Sequence, residues 1–228
     1  MGNLLSFWLE PISLAIGGLA ILFHSILQKH TKHAMLCGYY LIASVLMFRA
    51  NLVGIRGVSN IDIYNLLNLI TVIFFGLYFC SIISSVKKRI AMGAMCLLIA
   101  IYFIKMNLFP SPESIFDSTG QVLLSAVILI MVFFFMAQLL QNVNEESLSM
   151  NFDFWFSSAQ LTYYLATFFI FLTFRYLTKK VIDGDYLDQD RELLTKLWAV
   201  HNVILFLSSS IIAGSTLWIR YRSKSASS

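Results

Sequence analysis

The sequence predicts an all-α, polytopic membrane protein of seven transmembrane helices, with its N-terminus outside and its C-terminus inside. Three observations predict it. Of 228 residues, 58% are hydrophobic and 12% charged, where soluble domains carry about 25% charged residues. Charge-free runs follow one another along the whole chain. Lysines and arginines gather on alternate connections.

The runs are Pro11–Gln28, Ala34–Phe48, Ile63–Val86, Ile90–Ile104, Ser118–Asn144, Phe154–Phe174 and Leu197–Ile219. A helix needs about 20 mostly apolar residues to cross the hydrocarbon core. Five runs approach or exceed that length. The second and fourth reach it by adding flanking residues up to Asn51 and Phe109. With no water in the core, each segment must satisfy its own backbone hydrogen bonds, and helix is the solution. The single transmembrane domain is expected to span 1–228. The start of the chain lacks the basic region and cleavage pattern of a signal peptide, so the first segment is expected to be retained.

Lys/Arg excess marks the cytoplasmic side. Lys29 and Lys32 follow the first run, Lys87, Lys88 and Arg89 the third, and Arg220, Arg222 and Lys224 the seventh. The segment Arg175–Lys196 conflicts with this threading, because it is expected outside yet carries Arg175, Lys179, Lys180, Arg191 and Lys196. Cys37, Cys80 and Cys96 fall in the inner halves, where no disulfide framework is expected. The absence of an Asn-x-Ser/Thr sequon agrees with a bacterial cytoplasmic (inner) membrane. The net charge of +4 reads as topology and not as a nucleic-acid surface.

An internal repeat organises the helices as 3+1+3. Tyr39-Tyr40-Leu41 leads to Phe48-Arg49 in the second run, and Tyr163-Tyr164-Leu165 leads to Phe174-Arg175 in the sixth. Ser81-Ile82-Ile83 matches Ser210-Ile211-Ile212, and Ser13-x-x-Ile matches Ser125-x-x-Ile. The offsets rise in chain order, from 112 through about 125 to 129. The half-repeats are 4–86 and 119–219, with 90–109 as a linker helix. The arrangement resembles the parallel repeats of small transporters such as the SWEET sugar carriers. The Pro-Gln signature of that wider clan is absent, so the resemblance is one of architecture and implies no family.

Ionisable groups within a span are expensive and mark functional sites. Under this threading Glu10, Arg49, Asp62, Asn65, Lys105, Arg175, His201 and Asn202 fall in one outer layer. Lys105, Asn65 and His201 lie deepest. Glu10 and Asp62 stand as counter-charges to Arg49, Lys105 and Arg175. Asp62, Asn65, Asn68 and Thr71 form a slanted polar stripe on the third helix. The pattern predicts an outward-facing polar vestibule, set against the plainer reading of interfacial anchors that snorkel to headgroups. Ser13, Gly17 and Gly18 on the first helix, and Ser210 and Gly214 on the seventh, are small-residue faces for close packing within or between chains.

Chemical motifs are scarce. His30-x-x-His33-x-x-x-Cys37 has metal-like spacing on one helical face. Lys29 and Lys32 interleave it, and a basic collar at the membrane boundary explains the stretch as well. His24 and His201 differ in depth by about 20 Å at 1.5 Å per residue, which excludes them as one haem's axial pair. Asp183–Asp190 lacks the glycine and glutamate of a calcium loop. No enzyme is indicated and no cofactor expected. The four tryptophans sit near run ends as an interfacial belt, and Tyr163, Tyr164, Phe168 and Phe169 could line an apolar pocket.

Two functions follow. One is a small-solute carrier or permeation pathway. The other is a non-enzymatic receptor or interaction subunit that binds a ligand or a partner membrane protein and signals through another chain. The partners expected are the lipid bilayer, a small polar or amphiphilic ligand, and a second copy or another membrane protein.

Overall fold

The computed structural model describes residues 2–28, 31–108, 118–141, 148–182 and 187–225. Seven long helices account for nearly all of them: α1 (Gly2–Gln28), α2 (Thr31–Ile55), α3 (Ile61–Ile82), α4 (Val86–Leu108), α5 (Ser118–Gln141), α6 (Phe152–Ile182) and α7 (Asp188–Ser225). A single 3-10 turn, Leu148–Met150, precedes α6. The described residues contain no strand. Helices α1, α2, α3, α4, α5 and α7 are long and apolar enough to cross a membrane. Helix α6 has 31 residues, about 46 Å at 1.5 Å per residue. Its length suffices, but Ser157, Ser158, Gln160, Thr162 and Thr167 dilute its apolarity.

Local chemistry sets the turns. Gly57 takes a positive φ of +73° two residues past the end of α2, inside the α2–α3 connection, a conformation in which glycine meets no Cβ clash. Asn60 ahead of α3 donates its side-chain amide to the Ala50 carbonyl, 3.1 Å away, and ties the end of α2 to the start of α3. At the other end of α3, Gln138 of α5 accepts from the Ser84 backbone N–H and hydroxyl at 2.7 and 2.8 Å, and donates to the Ile82 carbonyl at 3.2 Å. These bonds satisfy backbone groups that a helix end leaves open. Asn151 caps α6 by accepting the Phe154 N–H at 3.2 Å.

The helices close into a ring in the order α1, α2, α3, α5, α6, α7, with α7 packed back on α1. Helix α4 stands outside, across the α3–α5 seam. Only 22% of its apolar window is buried, against 44–50% for the other five spans. Facing helices in the ring are α1 and α5, α2 and α6, and α3 and α7. Side chains of α2 and α6, and of α3 and α7, meet across the axis, so the core is a column of aromatic and polar groups and not a second layer of helix.

Glycine permits the closest approach. A Cβ on Gly17 would sit 2.8 and 2.9 Å from the Tyr40 ring and 3.5 Å from the Ser209 hydroxyl, and one on Gly18 would lie 3.1 Å from Tyr40 Cβ. These residues seat Tyr40 of α2 against α1. Ser13 is fully buried, and its hydroxyl donates to the Leu9 carbonyl. On α7, Ser210 and Gly214 are exposed, and a Cβ on Gly214 would meet nothing within 4 Å. Ser209, not Ser210, faces the α1–α2 contact.

Candidate functional site

Two ends of the bundle differ. The end where α1, α3, α5 and α7 begin is called the Glu10 end; the opposite one is the Lys32 end. A partly enclosed cavity of about 60 Å³ opens within the half nearer the Glu10 end. Every ring helix lines it: Glu10 and Leu14 of α1, Tyr39, Tyr40 and Met47 of α2, Tyr64, Asn68, Thr71 and Phe75 of α3, Gln121 and Leu124 of α5, Gln160, Tyr163, Tyr164, Thr167 and Phe171 of α6, and Trp198, His201, Leu205 and Ser208 of α7. A buried water needs about 10–15 Å³ by this kind of measure, so the space holds a few small groups and no drug-sized molecule.

Hydrogen bonds hold the polar walls in place. Gln121 donates to the Asn68 carbonyl oxygen at 2.8 Å, joining α5 to α3. Gln160 donates to the Tyr40 hydroxyl at 2.9 Å, joining α6 to α2 across the axis. The Thr71 hydroxyl gives its one proton to the Leu67 carbonyl at 2.8 Å, so Tyr39 is the donor in the 3.1 Å contact between them. Asn202 presents its carbonyl oxygen 3.2 Å from His201 Nδ1, and the Tyr163 hydroxyl lies 2.9 Å from His201 Nε2. Uncharged imidazole satisfies both bonds with its proton on Nδ1 and Tyr163 donating to Nε2. Trp198 lies against this ring with 5.2 Å between centroids.

Glu10 differs from these groups. It is 4% exposed, lines the cavity, and among the described residues it has no hydrogen-bond or ion-pair partner. Pro11 follows it inside α1, and the Pro11 carbonyl accepts the Ser44 hydroxyl at 2.9 Å. Among the described residues no lysine or arginine lines the cavity.

The Lys32 end is closed. Phe156 packs against Phe75, Tyr78 and Phe152 with centroids 5.8, 5.0 and 6.1 Å apart. Beyond this block, Asp153 of α6 accepts from His33 Nε2 at 3.0 Å, from Tyr78 at 2.8 Å and from Lys32 at 2.5 Å. His24 of α1 stacks on Phe152 at 4.3 Å and lies 4.9 Å from His33. Four helices therefore meet at one carboxylate and its neighbours.

The residues singled out in the sequence separate into two groups. Glu10, Asn68 and His201 line the cavity, and Asn65 and Asn202 are buried beside it. Arg49, Asp62, Lys105 and Arg175 are exposed on the outside of the bundle, and among the described residues they form no ion pair with Glu10. The polar stripe on α3 does two things at once: Asn68 and Thr71 face the cavity and also bond to α5 and α2. Of the tryptophans, Trp8 packs on Phe48 at 5.2 Å and Trp218 is exposed, whereas Trp198 belongs to the cavity wall. Tyr163 and Tyr164 line the cavity, and Phe169 is exposed. Sequence reasoning missed Gln160 and Asp153. Gln160 is the sole amide inside the sixth run, and Asp153 stands one residue ahead of it; either could have been flagged on those grounds.

His30 lies outside the described residues, as does the acidic stretch 183–186. Among the described residues no three His, Cys, Asp or Glu side chains gather as metal ligands. His33 is engaged with Asp153, and Cys37 is buried. A second, open groove of about 430 Å³ lies between the 3-10 turn, α6 and α7 near Trp155 and Trp218. It is larger, but its lining offers almost no polar group, and size without convergent polar contacts describes a lipid-facing groove better than a solute site. Comparisons with protein-family models, curated proteins and solved structures return no match for this chain.

Proposed function

We propose that this protein is a small-solute carrier, with the cavity between its two helix halves as the solute site. The observation that carries the reading is the partly enclosed cavity on the ring axis, its wall of mixed polar and apolar side chains drawn from both α1–α3 and α5–α7. A rotation by half the ring maps α1, α2, α3 onto α5, α6, α7. It maps the α1–α2 contact onto α5–α6, α2–α3 onto α6–α7, and α3–α5 onto α7–α1. Matched residues support this relation. Ser13 and Ser125 are both fully buried, Tyr40 and Tyr164 both line the cavity, Leu41 and Leu165 are both exposed, and Ile83 and Ile212 are both buried. Repeats of this kind let one half rock against the other around a fixed site.

The proposed threading has seven spans with the Glu10 end outside. Helices α6 and α7 support it by their length. Together they extend well past a 30 Å core, so the Lys/Arg residues of 175–196 need not sit at the membrane surface. Lys180 pairs there with Asp190 at 3.5 Å and Lys196 with Glu192 at 2.8 Å. In this state the solute path is open toward the outside, and the Phe156 block and the Asp153 cluster seal the inside.

Uptake into proteoliposomes tests the reading. Asn68→Ala and Gln160→Ala should each lower flux by about tenfold, the worth of one lost hydrogen bond to the walls, with an unchanged elution profile. Absence of flux for every solute tried, together with a membrane protein that co-purifies at fixed ratio, would replace the carrier with an interaction subunit.

A further inference from the structure

A carboxyl group buried against a cavity either keeps its proton or meets a positive partner, and among the described residues none is supplied to Glu10. Glu10 is 96% buried by its 4% exposure, and the described residues that line its cavity include no lysine or arginine. The nearest candidates by chemistry are accounted for. His201 is occupied at both ring nitrogens by Tyr163 and Asn202, and Arg49 and Arg175 point away on the exposed surface. Tyr39, Tyr64, Tyr163 and Trp198 line the same cavity as Glu10, together with the amides of Asn68, Gln121 and Gln160. Ring faces attract cations through their quadrupole, most strongly when water is excluded. Among the described residues no Lys or Arg lines the cavity to hold an anion, and an arriving cation would stabilise the carboxylate over its protonated form.

We propose that the cavity binds a small monovalent organic cation, a protonated amine, with Glu10 as its counter-ion and the tyrosine and tryptophan rings as its walls. The volume sets the size. About 60 Å³ admits about four or five water-sized groups, which fits methylammonium through trimethylammonium and excludes larger amines in this state. As a substrate class the proposal rests on the carrier reading; as a binding site it is testable apart from it.

The test is thermal unfolding of the purified full-length protein in detergent, titrated with methylammonium chloride and compared at equal ionic strength with sodium chloride, sodium acetate and the neutral acetamide. The expected result is a saturable rise in the unfolding midpoint with methylammonium and none with the other three. Glu10→Gln keeps the size of the side chain and should abolish the rise while eluting as the wild type. Glu10→Asp keeps the charge and should retain a weakened one, which guards against a variant that merely misfolds. Equal protection by acetamide, acetate or sodium chloride, or a Glu10→Gln protein that still responds to methylammonium, would overturn the proposal. Uptake of labelled methylammonium then separates it from the carrier reading. Protection without flux keeps the cation site and removes the carrier. Flux of a neutral solute that Glu10→Gln leaves intact keeps the carrier and removes the cation site.

Discussion

Glu10 and Asp153 are two carboxylates at opposite ends of one helical bundle, and their surroundings have nothing in common. Asp153 accepts three hydrogen bonds, from Lys32, His33 and Tyr78. Glu10 is more deeply buried, at 4% against 14% for the Asp153 side chain, and has no partner among the described residues. An ionised carboxylate taken out of water is costly unless it is paired and hydrogen-bonded. At Asp153 the fold offsets that cost with its own donors. At Glu10 no described residue offers one. The difference separates a group that locks helices together from one that waits for something to arrive.

The largest expected effect falls on the lock. Asp153→Ala removes the shared acceptor and leaves Tyr78 and His33 buried without it, which should destabilise the protein by about 3 kcal/mol in denaturant-induced unfolding. Glu10→Gln should do the opposite in sign, leaving stability unchanged or raised, because among the described residues Glu10 has no partner to lose. If both variants lower stability equally, the contrast between lock and site is broken.

Acid sharpens the same contrast. Asp153 stands just ahead of the charge-free segment that begins at Phe154. Burial pushes its carboxyl up, but the hydrogen bonds from His33, Lys32 and Tyr78 and the charge of Lys32 outweigh burial and hold it well below the ordinary carboxylate range. A depressed folded pKa stabilises the protein above the unfolded value, near 3.9. That contribution is lost as pH falls from about 4 through the folded pKa. Unfolding midpoints measured from pH 6 down to 3 should therefore show an acid-side decline below about pH 4 that Asp153→Asn flattens.

How much of this could be read from the sequence depends on which property is asked. The helices were legible because a charge-free run of about 20 residues has one structural solution in a bilayer. Their ends were less so. The run Ala34–Phe48 belongs to a helix of Thr31–Ile55, and Leu197–Ile219 to one of Asp188–Ser225, because charged residues continue a helix beyond the hydrocarbon without appearing in an apolar count. The cavity was half legible. Depth along a helix follows from sequence position, and of the residues singled out Glu10, Asn68 and His201 line the cavity. Rotation about the helix axis does not follow. In these almost uniformly apolar helices the hydrophobic pattern names no inner face, so Arg49 and Lys105, at similar depth, could not be told from residues that face the axis. The partners across the ring, Tyr40 with Gln160 and Asp153 with Tyr78, depend on which helices oppose one another, and nothing local encodes that.

A smaller effect tests the packing that shapes the cavity. Gly17→Ala places a methyl 2.8–2.9 Å from the Tyr40 ring, so that ring must shift, and with it the Gln160 contact on the cavity wall. Overpacking of this kind costs about 1–3 kcal/mol. The carrier reading expects reduced uptake in Gly17→Ala beyond what the stability loss explains, measured on protein that still elutes as a single species.

The smallest expected effect is at the matching small residue on α7. Gly214→Ala adds a methyl that meets nothing within 4 Å, on a face that the ring leaves exposed. Within a single copy the change should raise stability by no more than about 1 kcal/mol, the helix-propensity gain of alanine over glycine. Ser210 and Gly214 therefore have no structural use inside the bundle. A bulkier Gly214→Leu separates the remaining alternatives by size-exclusion chromatography with light scattering. If the mass is unchanged and stability is held, the face meets only lipid. If a dimer of the wild-type chain falls to a monomer, the small residues serve contact between copies, and the close packing expected of them lies between chains, whereas Gly17 and Gly18 do the equivalent work within one.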